Sequence, residues 1–295
     1  MDERNSINLK SNKTVLSHDL RRHTMIKEPD KTPYITALII AYNPDQRIVV
    51  SLEKLRYLVD FVVIIDNMSS DRSFLEELKI KYDEKFLKIL DLNKNYGVAS
   101  GLNKGIEWIQ NNKGSSYILT LDQDTIVLEK DLKVILHKVP AVYKKNLGLI
   151  SLRLEQIKNK PEFYLADFAM TSGNIINVEA IGNIRFRDEF FIDFVDYDFS
   201  FELKRRNYTI LFYNHKSLDH RLGIKRHGFT YEPPSRVYYI IRNSTIMLKE
   251  RKIGISMYFR EGIIYSVLLI LQGRPFSALS CTFLGICDAI QYFRR

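Results

Sequence analysis

YILTLDQDTI, residues 117–126, is the stretch of sequence that decides the fold. Its first five residues are largely apolar and predict a buried strand, which delivers Asp122 and Asp124 to its carboxyl end. Open α/β sheets bind ligands at that end of their strands. Side chains two residues apart in a strand point the same way, so both carboxylates can reach one divalent cation. Such hard oxygen ligands favour Mg²⁺ or Mn²⁺ over Zn²⁺, although a surface turn after a strand would show the same pattern.

Three strand-like segments precede this stretch, and each is followed by a polar loop and a helical pattern. They are Ile35–Ala41, Phe61–Ile65 and Phe86–Leu90. The repeat predicts a parallel, doubly wound α/β sheet with right-handed crossovers. Polar side chains follow all four strands: Asn43 and Asp45, Asp66 and Asn67, Asn93 and Asn95, and Asp122 and Asp124. Because the carboxyl ends of parallel strands share one edge of the sheet, these loops predict a nucleotide-sized site.

The segments on either side depart from this repeat. Residues 1–33 are polar and mixed in charge, which predicts a poorly ordered leader. One helix is predicted at about 129–145 and a strand at 147–152. Residues 153–195 are aromatic and lack a periodic pattern, so they predict irregular structure.

Composition limits the classes of protein that fit. With 295 residues, 45% of them hydrophobic, the chain can bury a full core, which excludes a disordered chain. Cys281 and Cys287 have no cysteine partners elsewhere, so neither a disulfide framework nor a zinc cage is predicted. The polar N-terminus has no apolar signal-peptide core, and together these features favour a cytoplasmic protein.

The net charge of +9 lies almost wholly in the last third of the chain. Residues 204–295 carry 16 basic and 5 acidic side chains, interleaved with long apolar runs, which favours an anionic membrane surface over nucleic acid. The longest uncharged runs there, Gly262–Gly273 and Pro275–Cys287, have 12 and 13 residues. A spanning helix needs about 20. The pattern predicts helices on the membrane interface, with a buried helical hairpin as the alternative.

Four spaced motifs resemble the glycosyltransferase family 2 enzymes of the GT-A fold. They are Ala41-Tyr-Asn-Pro44, Asp66-Asn67, Asn95-x-Gly97 with Asn103-x-Gly105, and Asp122-Gln-Asp124. The resemblance continues to about residue 250, where three further motifs look most like the rhamnosyltransferases that build bacterial surface polysaccharides. They are Phe190-Phe-Ile-Asp-Phe-Val-Asp-Tyr-Asp198, His220-Arg-Leu-Gly223 and Arg236-Val-Tyr-Tyr-Ile-Ile-Arg-Asn243.

This resemblance implies an architecture. The fold class is α/β, with a GT-A-type nucleotide-binding sheet that is mostly parallel, mixed toward the acceptor side, and followed by a C-terminal helical region. The glycosyltransferase domain would cover residues 34–251. Residues 252–295 would form C-terminal apolar and basic helices, which lie on a membrane surface or pack in the core.

The resemblance also implies how a nucleotide sugar is held. Asn43 and Asp66 would hold the nucleoside, with Asp66 reading the pyrimidine ring. Asp124 and His220 would bind the metal, Mg²⁺ or Mn²⁺, on the pyrophosphate. The other implied contacts are Asn95 and Asn103 in the nucleotide pocket, Asp122 on the ribose side, and Arg236 and Arg242 over the phosphates.

Asp196 matches the family's catalytic base, which takes the proton from the acceptor hydroxyl. The broader family usually has Glu before this Asp and Arg six residues after it, whereas this chain has Val195 and Glu202. The base therefore stays open between Asp196, Asp193 and Asp198, with Asp196 favoured. One displacement by the acceptor would invert the anomeric configuration, so one well-placed carboxylate suffices.

The expected reaction is metal-dependent, inverting transfer of L-rhamnose from dTDP-L-rhamnose to a lipid-linked glycan at the cytoplasmic membrane face. A UDP-hexose donor is the alternative within the same family. Residues 121–125 also resemble the nucleophile motif of haloacid-dehalogenase-type phosphatases, but that motif usually lies on an early strand, and three strands precede it here. A non-enzymatic, basic binding module is a further alternative, and it would not need Asp122, Asp124, Asp196 and His220 together.

Overall fold

A mixed eight-stranded sheet forms the centre of the protein in this computed structural model, which describes residues 32–221, 225–226, 229–230 and 232–294. The predicted leader, residues 1–33, lies almost entirely outside the described residues. The strands are β1 Ile35–Ala41, β2 Phe61–Asp66, β3 Leu87–Asp91, β4 Tyr117–Asp122, β5 Thr125–Val127, β6 Leu147–Arg153, β7 Phe163–Leu165, β8 Asn174–Asn177, β9 Thr209–Lys216, β10 Leu218–His220, β11 Lys225–Arg226 and β12 Phe229–Thr230. The helices are α1 Arg47–Leu55, α2 Ser73–Lys81, α3 Gly97–Asn112, α4 Leu132–Lys138, α5 Ala141–Lys144, α6 Val178–Ile181, α7 Val195–Arg205, α8 Pro234–Lys249, α9 Ile255–Met257, a π-helical segment Tyr258–Ile263, α10 Ile264–Leu271 and α11 Pro275–Tyr292.

One half of the sheet is parallel, with strand order β3-β2-β1-β4. Its strands read as continuous apolar runs because helices cover both faces. Ile48 and Leu52 of α1 belong to the core on one face, and Leu102 and Ile106 of α3 to the core on the other. Close packing of α3 depends on Gly105, where an added Cβ would lie 2.2 Å from a methyl carbon of Leu38. The predicted doubly wound half is confirmed.

The other half is mixed, with strand order β8-β6-β9-β7 continuing from β4. Strand β8 runs antiparallel to both β4 and β6, so it joins the two halves at the centre of the sheet. Residues 153–195 were predicted to be irregular, and this prediction is wrong for β7, β8 and α6. Strand β8 has only four residues, too few for a periodic pattern to identify it.

The predicted helix at 129–145 is two helices, α4 and α5, separated by Pro140. Proline lacks the backbone N–H that a continuing helix requires, which explains the break. Asp131 caps α4 by accepting hydrogen bonds from the N–H groups of Lys133 and Val134.

The C-terminal helices pack on α8 in the manner of a helical hairpin. Helix α11 lies along α8, and the turn between α10 and α11 holds Gly273 at a φ of 75°, followed by Pro275 at the start of α11. Among the described residues, none of the helices combines the length and apolar character needed to cross a bilayer.

Candidate active site

A cleft of about 930 Å³ opens at the carboxyl edge of the parallel strands. One wall of the cleft comes from the loops after β1, β2, β3 and β4, as the sequence pattern predicts. The opposite wall comes from the segment before α7, the start of α8 and the π-helical segment. The cleft therefore lies between two parts of the chain that are far apart in sequence.

Asp122, Asp124 and His220 form one cluster in this cleft. One ligand atom from each residue lies within 4.8 Å of the others. His220 Nδ1 is 3.3 Å from Asp124 Oδ1, and His220 Nε2 is 3.9 Å from Asp122 Oδ2. The backbone explains this proximity, because β10 pairs antiparallel with β5 and sets His220 opposite Thr125.

Two hydroxyl groups hold the cluster in place. The hydroxyl of Thr125, which is fully buried, lies 2.6 Å from His220 Nδ1 and 2.8 Å from the hydroxyl of Ser172. Ser172 in turn accepts a hydrogen bond from the backbone N–H of Asp122 at 2.9 Å. Side chains that contact metal ligands in this way orient them and fix the histidine tautomer.

Arg47 connects the two segments that carry these three residues. Its Nε donates to the backbone oxygen of Asp124 at 2.5 Å, and its Nη2 donates to the backbone oxygen of Asp219 at 3.1 Å. It also forms an ion pair of 2.9 Å with the Asp219 carboxylate. Only 14% of the Arg47 side chain is exposed. This role was not predicted, because in the sequence Arg47 is simply one basic residue at the start of a helix.

The chemistry of the cluster suits a divalent cation. Burial raises the pKa of the Asp122 carboxyl, the neighbouring Asp124 raises it further, and His220 opposes the rise. A cation between the two carboxylates would offset both the burial and the repulsion. Two carboxylates and one imidazole, all on ordered backbone, provide the donor atoms for such an ion.

Asp196 lies in the same cleft, in the first turn of α7. Burial raises the pKa of its carboxyl to about 7, against a hydrogen bond from the backbone N–H of Tyr197, and nearby Asp193 and Asp122 add to the rise. Within the described residues, Asp196 makes no ion pair. A carboxyl that titrates near neutral pH can accept a proton as a general base.

The two other candidate bases are paired with cations. Asp198 is 2% exposed and forms ion pairs with Arg187 at 2.8 Å and Lys252 at 2.7 Å. Asp193 accepts hydrogen bonds from the Arg236 guanidinium at 3.0 Å. These pairings favour Asp196 as the carboxylate available to a substrate.

A strained turn places Asp196. Asp193 and Phe194 have φ values of 62° and 61°, a left-handed conformation that costs a non-glycine residue roughly 1–3 kcal/mol. The side-chain amide of the fully buried Asn243 donates to the backbone oxygens of Ile192 and Asp193, both at 2.9 Å. Asn243 thus holds the turn from α8, 50 residues away along the chain.

Arg242 supports this turn instead of lining the cleft. Its Nη1 donates to the side-chain oxygen of Asn243 at 2.8 Å and to the backbone oxygen of Glu189 at 2.9 Å. Arg236, by contrast, lines the cleft, where it pairs with Asp193 and with Glu232.

Comparison with known proteins agrees with this arrangement. Residues 36–145 match the family model described as glycosyl transferase family 2. Over these residues the chain resembles the family 2 glycosyltransferases. The chain is also 24% identical over 264 residues to the dTDP-rhamnosyl transferase RfbF of Shigella flexneri, an alignment that covers 79% of this chain and 86% of that protein. The expected resemblance to rhamnosyltransferases of family 2 is confirmed.

Solved structures of glycosyltransferases share the fold. GalNAc-T7 in complex with UDP, GalNAc and Mn²⁺ superposes with a TM-score of 0.57 at 13% identity, over 74% of this chain and 48% of that chain. The chain therefore spans about half the length of GalNAc-T7. The mannosyltransferase PcManGT of Pyrobaculum calidifontis, in complex with GDP-Man and Mn²⁺, superposes with a TM-score of 0.53 at 13% identity, over 90% of this chain and 79% of that one. The predicted GT-A fold is confirmed.

The structure brings six of the ten predicted site residues to the cleft wall: Asn95, Asp122, Asp124, Asp196, His220 and Arg236. Asn43, Asp66, Asn103 and Arg242 lie behind it. Asn43 accepts from the N–H of Ser70, and Asn103 donates to the backbone oxygen of Phe186 at 2.7 Å. The first contact joins the loops after β1 and β2, and the second joins α3 to the segment before α7, so both link parts of the chain that contribute to the cleft.

Asp66 is fully buried at the carboxyl end of β2. One carboxylate oxygen accepts from the N–H of Ser69, and the other lies 3.3 Å from Arg72 Nε but makes no hydrogen bond with any described residue. The next residue, Asn67, lines the cleft and bridges to the α3 loop by donating to the Gly97 oxygen at 3.0 Å.

Several cleft residues were not predicted as site residues. The wall opposite the β1–β4 loops is lined by Glu232, Glu261 and Tyr265, together with Tyr197 and Phe191. Phe191 and Tyr197 belong to the quoted motif 190–198, whereas no local motif distinguishes Glu232, Glu261 and Tyr265. Their place in the site depends on how the C-terminal helices pack against α8.

Proposed function

We propose that the protein transfers a sugar from a nucleotide-sugar donor to an acceptor hydroxyl, with inversion at the anomeric carbon. The observation that carries this proposal is the presence of the Asp122, Asp124 and His220 cluster and the unpaired Asp196 in one cleft of a GT-A sheet. The cluster would hold a cation that neutralises the leaving diphosphate, and Asp196 would accept the proton of the attacking hydroxyl.

On the donor side, Asp122, Asp124 and His220 would hold Mg²⁺ or Mn²⁺, which when bound neutralises the charge that develops on the diphosphate. Arg236 adds a guanidinium from the opposite wall, and Arg242 contributes through the turn that it supports. Asn43, Asn95 and Asn103 shape the nucleoside end. Asp66 supports this end from behind, since its contacts with Ser69 and Arg72 hold the loop after β2, which lines the cleft through Asn67.

On the acceptor side, the Asp196 carboxylate accepts the proton of the attacking hydroxyl. The acceptor oxygen then forms its bond to the anomeric carbon as the bond from that carbon to the diphosphate breaks. The electron pair of the broken bond leaves with the nucleoside diphosphate. A single displacement of this kind inverts the configuration, and the pKa of about 7 allows Asp196 to act near neutral pH.

The favoured donor is dTDP-L-rhamnose, since the Shigella flexneri relative is a dTDP-rhamnosyl transferase. A UDP-hexose is the second candidate, because the fold is shared with GalNAc-T7 and with Staphylococcus aureus TarS, both solved with UDP. The proposed acceptor is a lipid-linked glycan of bacterial envelope polysaccharide biosynthesis, met at the inner face of the membrane. The basic, apolar C-terminal third supports this location.

A panel of nucleotides tests the donor site. Thermal stabilisation is measured with dTDP, UDP and GDP and their sugars, with and without Mn²⁺, for the natural protein and for Asp124→Ala. We expect Mn²⁺-dependent stabilisation, largest for dTDP species and lost in the variant. Asp167→Asn, at a carboxylate that is 92% exposed, is the matched control and should behave as the natural protein. Larger stabilisation by UDP species would indicate a UDP-sugar as the donor. The absence of stabilisation by every nucleotide would refute the proposal.

A further inference from the structure

The outer surface of the last two helices is apolar although it is exposed. On α11 the exposed fractions are 84% for Phe276, 65% for Leu279, 68% for Phe283 and 51% for Leu284, at the spacing of one helical face. The adjoining α10 and π-helical segment add Phe259, Val267, Ile270 and Leu271, each at least 42% exposed. We call these eight residues the C-terminal apolar face. So many large exposed side chains on one element mark a binding surface and not an ordinary solvated helix.

The inner side of α11 is built from small residues, whereas α10 also buries Leu268 and Leu269. Ala278 and Gly285 of α11 are buried, and a Cβ added at Gly285 would lie 3.0 Å from the backbone oxygen of Tyr238. The hydroxyls of Ser266 and Thr282 lie 2.6 Å apart between α10 and α11. A helix on a water-facing surface has the opposite arrangement, with its large apolar residues inward. Small and hydroxyl residues between helices, with bulky residues outward, are typical of helices that contact lipid.

Arginines lie near the C-terminal apolar face. Arg260 follows Phe259 directly and its side chain is 72% exposed. Arg274 follows the Gly273 turn and directly precedes α11, and Arg294 lies just beyond the end of α11; both are exposed. Basic residues beside an apolar surface complement anionic lipid headgroups.

We infer that the C-terminal apolar face binds the surface of an anionic bilayer, with its phenylalanines among the acyl chains and its arginines among the headgroups. A second copy of the chain is the other occupant of comparable apolar character. A twofold interface, however, would bring this arginine-bearing face against its own copy, with repulsion that anionic lipid does not impose.

The same segment forms part of the cleft. Glu261 and Tyr265 line the acceptor-side wall, and Phe259 and Val267, from the same 258–271 stretch, belong to the apolar face. Binding to a bilayer would therefore hold that wall beside the lipid surface, where a lipid-borne acceptor is presented. This last step rests on the proposed function, whereas the binding of the face to lipid does not.

Vesicle sedimentation tests the inference. The full chain is mixed with vesicles of phosphatidylcholine and phosphatidylglycerol, or of phosphatidylcholine alone. We expect the double variant Phe276→Glu and Phe283→Glu to bind the anionic vesicles at least about tenfold more weakly, since burial of each phenylalanine is lost. The matched control, Ile80→Glu with Val142→Glu, changes side chains that are 87% and 78% exposed elsewhere and should bind as the natural chain does.

The arginines are tested separately with Arg274→Gln and Arg294→Gln. Each should weaken binding to the anionic vesicles by about fivefold, and added salt should reduce this difference. Binding to pure phosphatidylcholine should be weak for all chains. Equal binding to both lipids would overturn the role of the arginines.

Two results would overturn the inference as a whole. One is the absence of vesicle binding by the natural chain. The other is a dimer mass in light scattering that Phe276→Glu with Phe283→Glu abolishes, which would assign the face to a second copy. Stabilisation by nucleotide with Mn²⁺, measured on the same variants, should be unchanged, so a failure of lipid binding is distinguishable from a failure of the proposed function.

Discussion

The donor side and the acceptor side of the cleft are positioned in different ways. On the donor side, Asp122 ends β4 and Asp124 lies two residues further on, and the register of the parallel strands places them. On the acceptor side, Asp196 follows a left-handed turn that is held by Asn243 from a distant helix. The two donor-side carboxylates are therefore placed by their own strand, whereas Asp196 is placed by side-chain contacts from a distant helix.

This difference predicts where remote substitutions act. Changes behind the donor side should alter metal or nucleotide binding and leave the chemical step intact. Changes behind the acceptor side should alter the chemical step and leave donor binding intact. This difference between the two sides would be contradicted if one remote variant altered donor binding and the rate of the chemical step by similar factors.

The largest effect is expected at Asp196 itself. Asp196→Asn removes the base but keeps the shape of the side chain, so kcat for transfer should fall by roughly a thousandfold. The KM for the donor should change little, because the variant leaves the metal cluster intact. Release of nucleoside diphosphate from dTDP-rhamnose, with a bacterial lipid extract as acceptor, measures both constants.

The next effect is expected at Asn243. Asn243→Ala leaves the backbone oxygens of Ile192 and Asp193 without their donor, which should cost about 2–3 kcal/mol of unfolding free energy. Because the released turn carries the base, kcat should fall by about a hundredfold at unchanged donor KM. Urea denaturation and steady-state kinetics check the two effects.

Asn112→Ala is the control for that variant, since Asn112 is exposed on α3 and bonds only to its own helix among the described residues. It should leave kcat unchanged. An equal loss of kcat in both variants would show that the turn has no special role in catalysis.

A smaller effect is expected at Arg47. Arg47→Met removes the contacts to the segments of Asp124 and His220, so the Mn²⁺ affinity should fall by about tenfold. Binding followed by the paramagnetic resonance of free Mn²⁺ measures this directly. Saturating Mn²⁺ should restore kcat.

Arg56→Met, at an exposed residue directly after the end of the same helix, is the control for Arg47 and should bind Mn²⁺ as the natural chain does. If Arg47→Met lowered kcat at saturating Mn²⁺ without changing the affinity for Mn²⁺, the claim that changes behind the donor side leave the chemical step intact would be contradicted.

The smallest effect concerns pH. The pKa of Asp196 is raised to about 7, and the base must be deprotonated to act. Activity should therefore be half-maximal near pH 7 and fall about tenfold per pH unit below it. Mn²⁺-dependent stabilisation by nucleotide at pH 6.5–8 checks that donor binding is not the cause.

The raised pKa also has a consequence for stability. The folded protein binds the Asp196 proton more tightly than the unfolded chain does, so this group stabilises the fold at low pH and loses that contribution as pH rises through about 7. Asp196→Asn should then raise the melting temperature more at pH 8 than at pH 5. A lower melting temperature of the variant at pH 8 would contradict the buried, strained placement of this carboxylate.

The sequence predicted the donor side well for a physical reason. Strand β1 was predicted with its observed bounds, and Asp122 and Asp124 were placed correctly at the end of β4, because buried parallel strands appear as continuous apolar runs. His220 was associated with the metal by family resemblance alone. The β5–β10 pairing that brings it to Asp124 joins residues about a hundred positions apart, which periodicity does not encode.

The acceptor side was predicted less completely for the same reason. Strand β8 is too short to detect, and Arg242 supports Asn243 through contacts that no local pattern reports. The role of Arg47 likewise depends on two segments that meet only in the folded chain. The sequence therefore predicts the positions of side chains that follow strands. It does not predict the roles of side chains that join distant elements.

Equilibrium binding of dTDP-rhamnose in the presence of Mn²⁺, compared between Asp124→Ala and Asp196→Asn, tests the division of the cleft most directly. Calorimetry of the two variants would measure it under identical conditions. We predict that Asp124→Ala loses binding, whereas Asp196→Asn binds the donor as the natural chain does and fails to turn it over. Equal loss of donor binding in both variants, or normal turnover by Asp196→Asn, would contradict the account.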